Sequence, residues 1–439
     1  MFEKLYKFRD KMPVYHYPMP ICEATDDIQN GVHLEDYESI PENNNLYIHI
    51  PFCKSLCKFC PYTKWVAGDD KIKKYIDYLF KEIDMYSNKP YIKSMHFNAI
   101  YFGGGTPSLL SSKDLIKIIS RIKSKFRLED NAEITIEGSP LSFDIDKFQA
   151  LKLAGVNRIS MGVQTFNEQY SKMLGVPQEP DRACKIIREA LSCNFDAVSI
   201  DLIYNLPGQK ISEWEEDIKK AIELGVNQIT LFPLALAPNT VLGNQVFSGK
   251  LPRINEQEVE YEFVELASNI LKNHGFYQIT NVDWISEGSN YKYCENHFSK
   301  LGNILGMGVG AFGELNGNSY INTARIDEYY SKLDEKLFPV KKYSETADEL
   351  IYQYMSMKLR CLKISDDDFS KKFGVSMYKH FKSQIEKLSG MGLIENANGE
   401  IRVTDLGSFY LYDISKEFVS PKYSKIDPIT SAIENISKG

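Results

Sequence analysis

The sequence carries no excess of positive charge. Its 439 residues include 52 lysines and arginines against 59 aspartates and glutamates, so the formal net charge is −7. Domains that bind nucleic acid usually present a basic face or stripe. We therefore expect neither DNA nor RNA among the partners of this protein.

Long apolar runs are missing as well. Stretches such as ITLFPLALAP end far short of the ~20 residues that a membrane span needs. The N-terminal stretch MFEKLYKFRDKMP is charged throughout and has neither the apolar centre nor the small-residue cleavage site of a secretory signal. These features predict a cytoplasmic protein without a membrane segment.

Cysteine is sparse. Eight cysteines are too few for a disulfide scaffold in a chain of this length, and a cytoplasmic protein keeps its thiols reduced. Five are scattered, and we expect them to pack as small apolar side chains: Cys22, Cys184, Cys193, Cys294 and Cys361. The others fall within eight residues, in the stretch HIPFCKSLCKFCPY, and are Cys53, Cys57 and Cys60. Lys54 and Lys58 lie beside them and would favour the thiolate form.

Strand-like and helix-like segments alternate along the first half of the chain. β-rich runs stand at 46–50, 98–104, 132–138, 158–166, 197–207 and 228–236. Between most of them, apolar residues recur at three- and four-residue spacing, which is typical of helices. This order predicts βα units with a parallel sheet, and about six units suggest an α/β fold built as a partial (β/α)6 barrel. The cysteine cluster then lies in the first βα loop, at the end of the barrel where such folds place their chemistry.

The pattern changes near residue 345. Helical segments are followed by a short β-hairpin with Asn-Gly at its tip, an α+β order that resembles a winged helix. Its basic surface is modest, so we expect a substrate cover or a packing module. The predicted organisation is an N-terminal extension (1–45), a barrel (46–285), a connecting segment (286–340) and a C-terminal domain (341–439). The extension looks loop-rich, with prolines in MPVYHYPMP, and would close the barrel bottom or form a lid.

Cysteine spacing alone leaves two interpretations of the cluster. The three cysteines with His49 could form a tetrahedral zinc site, although structural zinc ligands usually come as two separated pairs and no second pair exists here. Alternatively, three thiolates could hold a [4Fe-4S] cluster whose fourth iron stays open to a small ligand. The spacing does not decide between them.

The neighbouring motifs resemble those of the radical S-adenosylmethionine (SAM) superfamily. Its CxxxCxxC signature matches Cys53, Cys57 and Cys60 without a gap, and Phe59 matches an aromatic residue common there. YIHIPFC, YFGGGTPSLL, NRISMGVQTFN and DLIYNLPGQ follow in the order of the HemN-like branch, the relatives of oxygen-independent coproporphyrinogen oxidase. The resemblance extends over residues 46–415. It implies a radical SAM barrel with a HemN-like winged-helix domain, a [4Fe-4S] cluster, one or two molecules of SAM, and a flavodoxin- or ferredoxin-type electron donor.

The resemblance also implies a set of SAM contacts. The glycine-rich loop would hold the methionine end, a glutamate would accept bonds from its amino group, and an aspartate would bind the ribose hydroxyls. Alternatives remain for some of these positions: a plain tight turn for the glycines, a solvated strand-end acid for the glutamate, and a core residue for the tyrosine. The implied contacts are Tyr47, Gly103, Gly104, Gly105, Thr106, Glu137, Gln164 and Asp201.

Two departures from the family pattern narrow the function. Tyr62 stands where coproporphyrinogen oxidases have a further cysteine, which makes decarboxylation of coproporphyrinogen doubtful. Val176 stands where relatives usually place an arginine for the carboxylate of SAM. Either another cation takes the carboxylate, with Arg182 and Arg188 as candidates, or SAM binds in a different position.

A third departure concerns the substrate. Haem-chaperone relatives carry HNxxYW and then LGxGxGAH, whereas this chain has Asn290-Tyr-Lys-Tyr293-Cys294 and then LGMGVGAFGELNGNSY, without the tryptophan and the final histidine. It looks more like the haem-utilisation members, which open haem anaerobically by methyl transfer from a second SAM, and which share their core with the class C methyltransferase members. Tyr293 and Met307 are candidates to line a substrate cavity, with core packing as the alternative for Met307.

Together these features predict a radical SAM enzyme for a small-molecule substrate. The expected reaction is methyl or methylene transfer to an sp2 carbon of a conjugated substrate, such as haem or another tetrapyrrole. The alternatives are a natural-product methyltransferase or cyclopropanase, a haem chaperone, a coproporphyrinogen dehydrogenase-like oxidoreductase and, as the plainest option, a zinc-stabilised structural protein.

Overall fold

The fold is known from a computed structural model that describes residues 5–11, 17, 22–23, 42–62, 64–176, 179–315, 318–345 and 349–421. The stretch MPVYHYPMP lies almost entirely outside the described residues, as does most of the predicted extension 1–45. The strands are β1 (Cys22–Glu23), β2 (Asn44–Ile50), β3 (His96–Gly104), β4 (Arg127–Gly138), β5 (Arg158–Gln164), β6 (Ala197–Tyr204), β7 (Gln228–Pro233), β8 (Phe276–Gln278), β9 (Asp283–Ser286), β10 (Ile304–Met307), β11 (Phe312–Leu315), β12 (Asn318–Asn322), β13 (Val340–Glu345), β14 (Lys363–Ser365), β15 (Ile394–Ala397) and β16 (Glu400–Val403).

The helices alternate with the first strands and dominate the C-terminal region. They are α1 (Asp69–Ser87), α2 (Pro90–Ser94), α3 (Ser112–Lys125), α4 (Ile145–Leu153), α5 (Glu168–Leu174), α6 (Pro180–Ser192), α7 (Ile211–Leu224), α8 (Val241–Phe247), α9 (Gln257–Asn273), α10 (Lys292–Cys294), α11 (Ile326–Asp334), α12 (Leu350–Lys358), α13 (Asp366–Phe373), α14 (Met377–His380), α15 (Lys382–Gly390), α16 (Asp405–Phe409) and α17 (Leu411–Glu417). Short 3-10 turns at Pro107–Leu109 and Leu359–Cys361 and a π-helical turn at Glu295–Ser299 complete the elements.

Six neighbouring strands, β2 to β7, run parallel in chain order, with at least one helix after each. Side chains on both faces of these strands are largely buried, because helices cover one face and the barrel interior lies on the other. The predicted α/β partial barrel is therefore confirmed. Since the strands are parallel, their carboxyl ends and the loops that follow them meet at one mouth.

Local sequence signals set where the barrel helices begin and end. Ser111 accepts a hydrogen bond from the backbone N–H of Asp114, which caps the start of α3. Gly175 and Gly225 follow α5 and α7 with positive φ values of 70° and 77°, which favour glycine at a helix end.

The sheet continues beyond the parallel strands on both edges. β10 pairs with β2 in parallel, and β11, β12 and β13 follow in antiparallel order; at the other edge β9 and β8 are antiparallel. The segment 286–340, predicted only as a connection, thus supplies strands to the main sheet. The strands that lie wholly within this segment are four or five residues long. Strands this short contain too few residues for a periodic apolar pattern to be recognised.

The C-terminal region forms a separate α+β unit with its own apolar core. β14, β16 and β15 make a three-stranded antiparallel sheet packed with helices α12 to α17. The predicted hairpin is present: Asn398 and Gly399 connect β15 to β16, and their φ values of 56° and 77° are those of a tight type I′ turn.

Residues 5–11 join the two units. Arg9 donates to the carbonyl of Phe409 at 2.6 Å in the C-terminal unit and to the hydroxyl of Tyr204 at 3.2 Å on β6. Within the predicted extension, residues 5–11 therefore reach the mouth of the barrel. Within the described residues, no helix is long and apolar enough to cross a membrane.

Candidate functional site

The cysteine loop follows β2 and is held by backbone hydrogen bonds. The N–H of Cys53 donates to the carbonyl of Trp65 at 2.9 Å, and the N–H of Lys58 donates to the carbonyl of Leu174 at 2.9 Å. The carbonyl of Lys58 accepts from the N–H of Leu242, also at 2.9 Å. Because Leu174 lies after β5 and Leu242 lies after β7, the loop spans the mouth of the barrel.

The thiols of this loop interact with one another. Cys53, Cys57 and Cys60 form no disulfide. Burial, followed by the charges of the other two thiols, raises the pKa of Cys57 to about 11, and burial raises the pKa of Cys53. A bare thiolate is therefore disfavoured at Cys53 and Cys57, and a cationic group bound to these two sulfurs would favour their ionised form.

A different lysine from those expected acts on these thiols. Lys64 is the cation that lowers the pKa of Cys53 and Cys57, and its ammonium donates to the carbonyl of Cys60 at 2.8 Å. Lys54 is exposed to solvent. The ammonium of Lys58 points to the carbonyl of Lys172 at 3.5 Å.

His49 takes part in other contacts. Its Nδ1 lies 2.9 Å from the Tyr47 hydroxyl, and burial lowers its pKa to about 4, so the ring is neutral near pH 7. Among the described residues, no group of three or more His, Cys, Asp or Glu side chains could hold one metal ion. In a [4Fe-4S] cluster each thiolate binds a different iron, so the three sulfurs need not converge on one point. The thiols of Cys53, Cys57 and Cys60 therefore suit such a cluster.

The glycine loop after β3 packs tightly against the cysteine loop. A Cβ on Gly104, whose φ is 112°, would lie 2.7 Å from the His49 ring, and one on Gly105 would lie 2.7 Å from the carbonyl of Phe52. The N–H of Thr106 donates to that carbonyl at 2.8 Å, and its hydroxyl donates to the sulfur of Cys53 at 3.5 Å. Glycine is thus required by contacts within the protein, before any ligand is considered.

Glu137 meets the glycine loop from β4. A Cβ on Gly103 would lie 3.0 Å from its Oε2. Its carboxylate accepts from the Tyr101 hydroxyl and the Gly104 N–H, and burial raises its pKa to about 7. Glu137 is therefore not a solvated strand-end acid; it is a half-buried carboxyl that can accept further bonds from an ammonium group.

An aromatic wall stands beside Glu137. The Tyr101 ring lies 6.5 Å from that of Tyr47 and 4.9 Å from that of Tyr293. The Tyr293 hydroxyl is buried and has no hydrogen-bond partner among the described residues. Met307, in contrast, is fully buried in the main core on β10, which agrees with packing.

Gln164 and Asp201 lie on the neighbouring strands β5 and β6. Gln164 ends β5 with a φ of 72°, which is strained for a residue other than glycine and is often found at functional sites. Asp201 was expected at a strand end but lies inside β6, three residues before Tyr204. Burial, and next the charge of Glu137, raises the pKa of Asp201 well above its usual value.

These two side chains line a cavity of about 200 Å³ at the mouth. Aromatic and aliphatic side chains form most of its other walls, including Phe59 and Tyr62 from the cysteine loop and Phe232 from β7. Lys11 and Tyr412 also line it, from the N-terminal segment and the C-terminal unit. No local sequence signal pointed to these two residues, because their elements are far from the barrel motifs in the chain.

The two candidate replacements for the SAM-carboxylate arginine both lie on α6. Val176 is buried in an apolar cluster with Leu174 and Ile203. Arg182 is exposed and its Nε donates to the carbonyl of Pro140 at 3.3 Å, just after β4. Arg188 is exposed six residues further along α6, about 9 Å away by the helix rise. Neither arginine lines the cavity, whereas Lys11 does.

Two family models and several known proteins match this chain in sequence. The sequence model of the radical SAM superfamily matches residues 47–221, and that of the HemN C-terminal domain matches residues 346–410. The heme chaperone HemW of Bacillus subtilis (strain 168) is 30% identical over 364 residues, 82% of this chain and 95% of that protein. Anaerobilin synthase of Escherichia coli O157:H7 is 32% identical over 294 residues, 67% of this chain and 66% of that protein.

A solved structure supports the fold. Coproporphyrinogen III oxidase (HemN) from Escherichia coli, described as a radical SAM enzyme, superposes with a TM-score of 0.79 and 24% sequence identity. The match covers 89% of this chain and 93% of that chain, so it includes both the barrel and the C-terminal unit.

Proposed function

The chain belongs to the HemN-like branch of the radical SAM superfamily, and we propose that it transfers a methyl or methylene group to an sp2 carbon of a conjugated substrate. A tetrapyrrole such as haem is the first candidate substrate. The chain is a radical SAM enzyme, and the cofactors of its superfamily are a [4Fe-4S] cluster and SAM. When bound, the cluster supplies one electron to the sulfonium of SAM and thereby yields the 5′-deoxyadenosyl radical.

Cys53, Cys57 and Cys60 are the residues that we assign to the cluster. The loop that carries them is fixed at both sides of the mouth by backbone hydrogen bonds, and the Thr106 hydroxyl donates to the Cys53 sulfur. These bonds would hold the sulfurs in place while the Lys64 ammonium offsets part of the thiolate charge.

Glu137 and the glycine loop are assigned to the methionine end of SAM. The Glu137 carboxylate already accepts from Tyr101 and Gly104, so it is oriented towards the loop without a ligand. An ammonium group beside it would favour the ionised form, since an opposite charge lowers the pKa of a carboxyl group. Tyr47, whose ring packs near both, would cover this end of the ligand.

Gln164 and Asp201 are assigned to the ribose. Ribose hydroxyls donate and accept hydrogen bonds, so they suit an amide and a carboxyl group equally well. The two side chains line one cavity, although they lie on different strands. Their position between the cysteine loop and β7 would place a nucleoside across the mouth.

The observation that carries the proposed reaction is the apolar lining of this cavity next to the proposed SAM contacts. Phe59, Tyr62 and Phe232 surround Gln164 and Asp201 with little polar surface. An apolar enclosure excludes water, which protects a reactive radical and positions a planar apolar substrate. Tyr62, which forms part of this wall, stands where coproporphyrinogen oxidases have a further cysteine. The absence of that cysteine favours methyl or methylene transfer over oxidative decarboxylation.

The reduction step calls for a protein partner, and we assign a flavodoxin- or ferredoxin-type donor to the cysteine loop. Residues 51–68 include three lysines and no acidic residue. Leu56, Tyr62 and Val66 are exposed there, with 53%, 50% and 59% of their surface accessible. A basic rim around apolar side chains suits an acidic donor, and cluster reduction by such a donor would slow as ionic strength rises.

Product analysis tests the proposed function. Anaerobic turnover with a low-potential reductant, SAM and haem should give 5′-deoxyadenosine and S-adenosylhomocysteine together, because one SAM acts as radical source and another as methyl donor. The two products should rise in parallel and depend on the substrate. Accumulation of 5′-deoxyadenosine with flat S-adenosylhomocysteine would instead support a coproporphyrinogen dehydrogenase-like oxidoreductase.

A haem chaperone is the second candidate. It is favoured by the 30% identity to heme chaperone HemW, which extends over 95% of that protein. A chaperone would bind haem and yield neither product above background. Substrate dependence of both products would therefore contradict it. A natural-product methyltransferase or cyclopropanase would yield both products only with its own conjugated substrate and not with haem.

A further inference from the structure

The mouth cavity contains one charged group that the assignments above do not use. Lys11 lines the cavity together with Asp201 and Gln164. Among the described residues that form its wall, Lys11 is the one cation. Since it belongs to the N-terminal segment 5–11, it reaches the site from outside the barrel.

Lys11 is held in place by an ion pair that it shares. Its ammonium lies 2.7 Å from Glu260 Oε1, and the guanidinium of Arg9 lies 2.9 Å from the same oxygen. Only 1% of the Glu260 side chain and 4% of the Arg9 side chain are exposed. Two cations thus meet at one buried carboxylate oxygen, and Arg9 alone can balance Glu260.

Other charges near this pair belong to other partners. Asp10 pairs with Lys416, and the Asp413 carboxylate accepts from the Asp10 N–H. Burial raises the pKa of Asp413 to about 7, while the nearby Arg9 lowers it. These groups lie on the side of the segment that faces the C-terminal unit, whereas Lys11 is the member of the network that reaches the cavity.

Burial lowers the pKa of Lys11, and the attraction of Glu260 raises it. An anion bound in the cavity would also raise the pKa of Lys11. The Lys11 ammonium, which is mostly shielded from water, would in turn stabilise the bound anion. The same cavity also offers Asp201 and Gln164 to hydroxyl or amide groups. The cavity therefore combines a cation, an acid and an amide with walls that are otherwise mostly apolar.

We propose that Lys11 binds the carboxylate of the ligand that occupies this cavity. This inference rests on the proposed function, because it assigns the ligand to the same site. A volume of about 200 Å³ is below the ~300–1,000 Å³ of pockets that bury a drug-sized molecule, so the cavity holds one arm of a larger ligand. The carboxylate belongs either to the methionine part of a second SAM molecule, beyond the one assigned to Glu137, or to a propionate of a tetrapyrrole.

Binding measurements on the full-length protein with its cluster reconstituted test the proposal without turnover. S-adenosylhomocysteine is compared with 5′-methylthioadenosine, which lacks the carboxylate, and haem is compared with its dimethyl ester. Lys11→Met is the test variant and Lys11→Arg retains the charge. Lys7→Met is the matched control, since Lys7 is exposed on the same segment.

Lys11→Met should weaken the affinity for one of the two acid ligands by about 10- to 100-fold, the range for a hydrogen bond between charged groups. The affinity for the matching compound without the carboxylate should stay unchanged. Lys11→Arg should restore most of the lost affinity, and Lys7→Met should bind as the wild type does. Loss confined to S-adenosylhomocysteine identifies the methionine carboxylate, and loss confined to haem identifies a propionate.

Equal affinities of wild type and Lys11→Met for both acids would overturn the proposal, as would equal losses for the acids and their neutral partners. These outcomes are independent of the turnover products. A chain that makes no S-adenosylhomocysteine but loses acid binding in Lys11→Met would refute the proposed function and retain this inference.

Discussion

The hydroxyl of Thr106 donates a hydrogen bond to the sulfur of Cys53 over 3.5 Å. This bond joins the glycine loop after β3 to the cysteine loop after β2, so the proposed SAM site and the proposed cluster site share a contact. A hydrogen bond to a cluster thiolate stabilises the reduced state, which carries more negative charge.

Thr106→Val keeps the shape of the side chain and removes that bond. We expect a reduction potential lower by about 20–60 mV, which corresponds to about 0.5–1.5 kcal/mol for a one-electron couple. Reductive titration followed by electron paramagnetic resonance measures the change. Thr106→Ser should keep the wild-type potential, and an unchanged potential in Thr106→Val would show that the hydroxyl does not reach a cluster ligand.

Removal of one cysteine should abolish the cluster. The wild-type protein purified without oxygen should be brown, with about four irons and four sulfides per chain, and Cys57→Ala should be colourless. Cys193→Ala is the matched control, because Cys193 is also a free, partly buried thiol but lies at the end of α6. Colourless wild-type protein with one tightly bound zinc would contradict the cluster assignment.

SAM binding should depend on pH through Glu137. Burial raises the pKa of this carboxyl group to about 7, so it is protonated below that pH and ionised above it. An ammonium group on the ligand favours the ionised form, and binding near pH 6 must therefore expel a proton. We expect SAM affinity to fall as pH decreases from 8 to 6, measured by calorimetry on the cluster-loaded protein.

Glu137→Gln should remove most of this pH dependence. It should also weaken the binding free energy of SAM at pH 8 by about 1.5–3 kcal/mol, which is the contribution of a charge-assisted hydrogen bond. The iron content of the protein should stay constant. Asp201→Asn should weaken binding without removing the pH dependence near 7. Identical pH profiles for wild type and Glu137→Gln would exclude Glu137 as the partner of the amino group.

Glu82 gives a prediction on stability away from the cofactors. Its buried carboxylate accepts from the Gly308 N–H at 2.7 Å, the Tyr329 hydroxyl at 2.7 Å and the Asn322 amide at 2.8 Å. Burial nevertheless raises its pKa to about 7, above the 4.5 of an unperturbed glutamate. Between these two values the unfolded chain binds fewer protons than the folded one, so this group makes stability fall as pH rises.

Glu82→Gln should remove that contribution. The free energy of unfolding of Glu82→Gln, taken relative to that of wild type, should rise by up to about 3 kcal/mol from pH 4.5 to pH 7. A loss from altered hydrogen bonds would be the same at both pH values and would not change this rise. Urea unfolding at both pH values measures the difference. Glu82→Ala should be less stable than either at both values, because three buried donors lose their acceptor.

The barrel could be predicted from the sequence because its strands and helices carry strong local patterns. The run at 197–207 is mostly aliphatic and contains β6 (Ala197–Tyr204), and the run at 46–50 is the larger part of β2. The hairpin tip at Asn398 and Gly399 was predicted because that dipeptide tolerates positive φ. Such signals lie within a few residues of one another.

The missed features depend on contacts between distant parts of the chain. Lys11 meets Glu260 across a sequence separation of 249 residues, and no periodicity links the two. The effect of Lys64 on the cysteines arises from the turn of the loop, which spacing alone did not reveal. β10 pairs with β2 although about 250 residues separate them, and its four residues are too short to show a pattern.

Transfer of labelled methyl carbon tests the central proposal most directly. Anaerobic turnover with haem and SAM carrying carbon-13 in its methyl group should give a modified tetrapyrrole that contains the label, in equal amount to the S-adenosylhomocysteine formed. Mass spectrometry measures both. A modified tetrapyrrole without the label, or 5′-deoxyadenosine formed with no S-adenosylhomocysteine, would contradict radical methyl transfer.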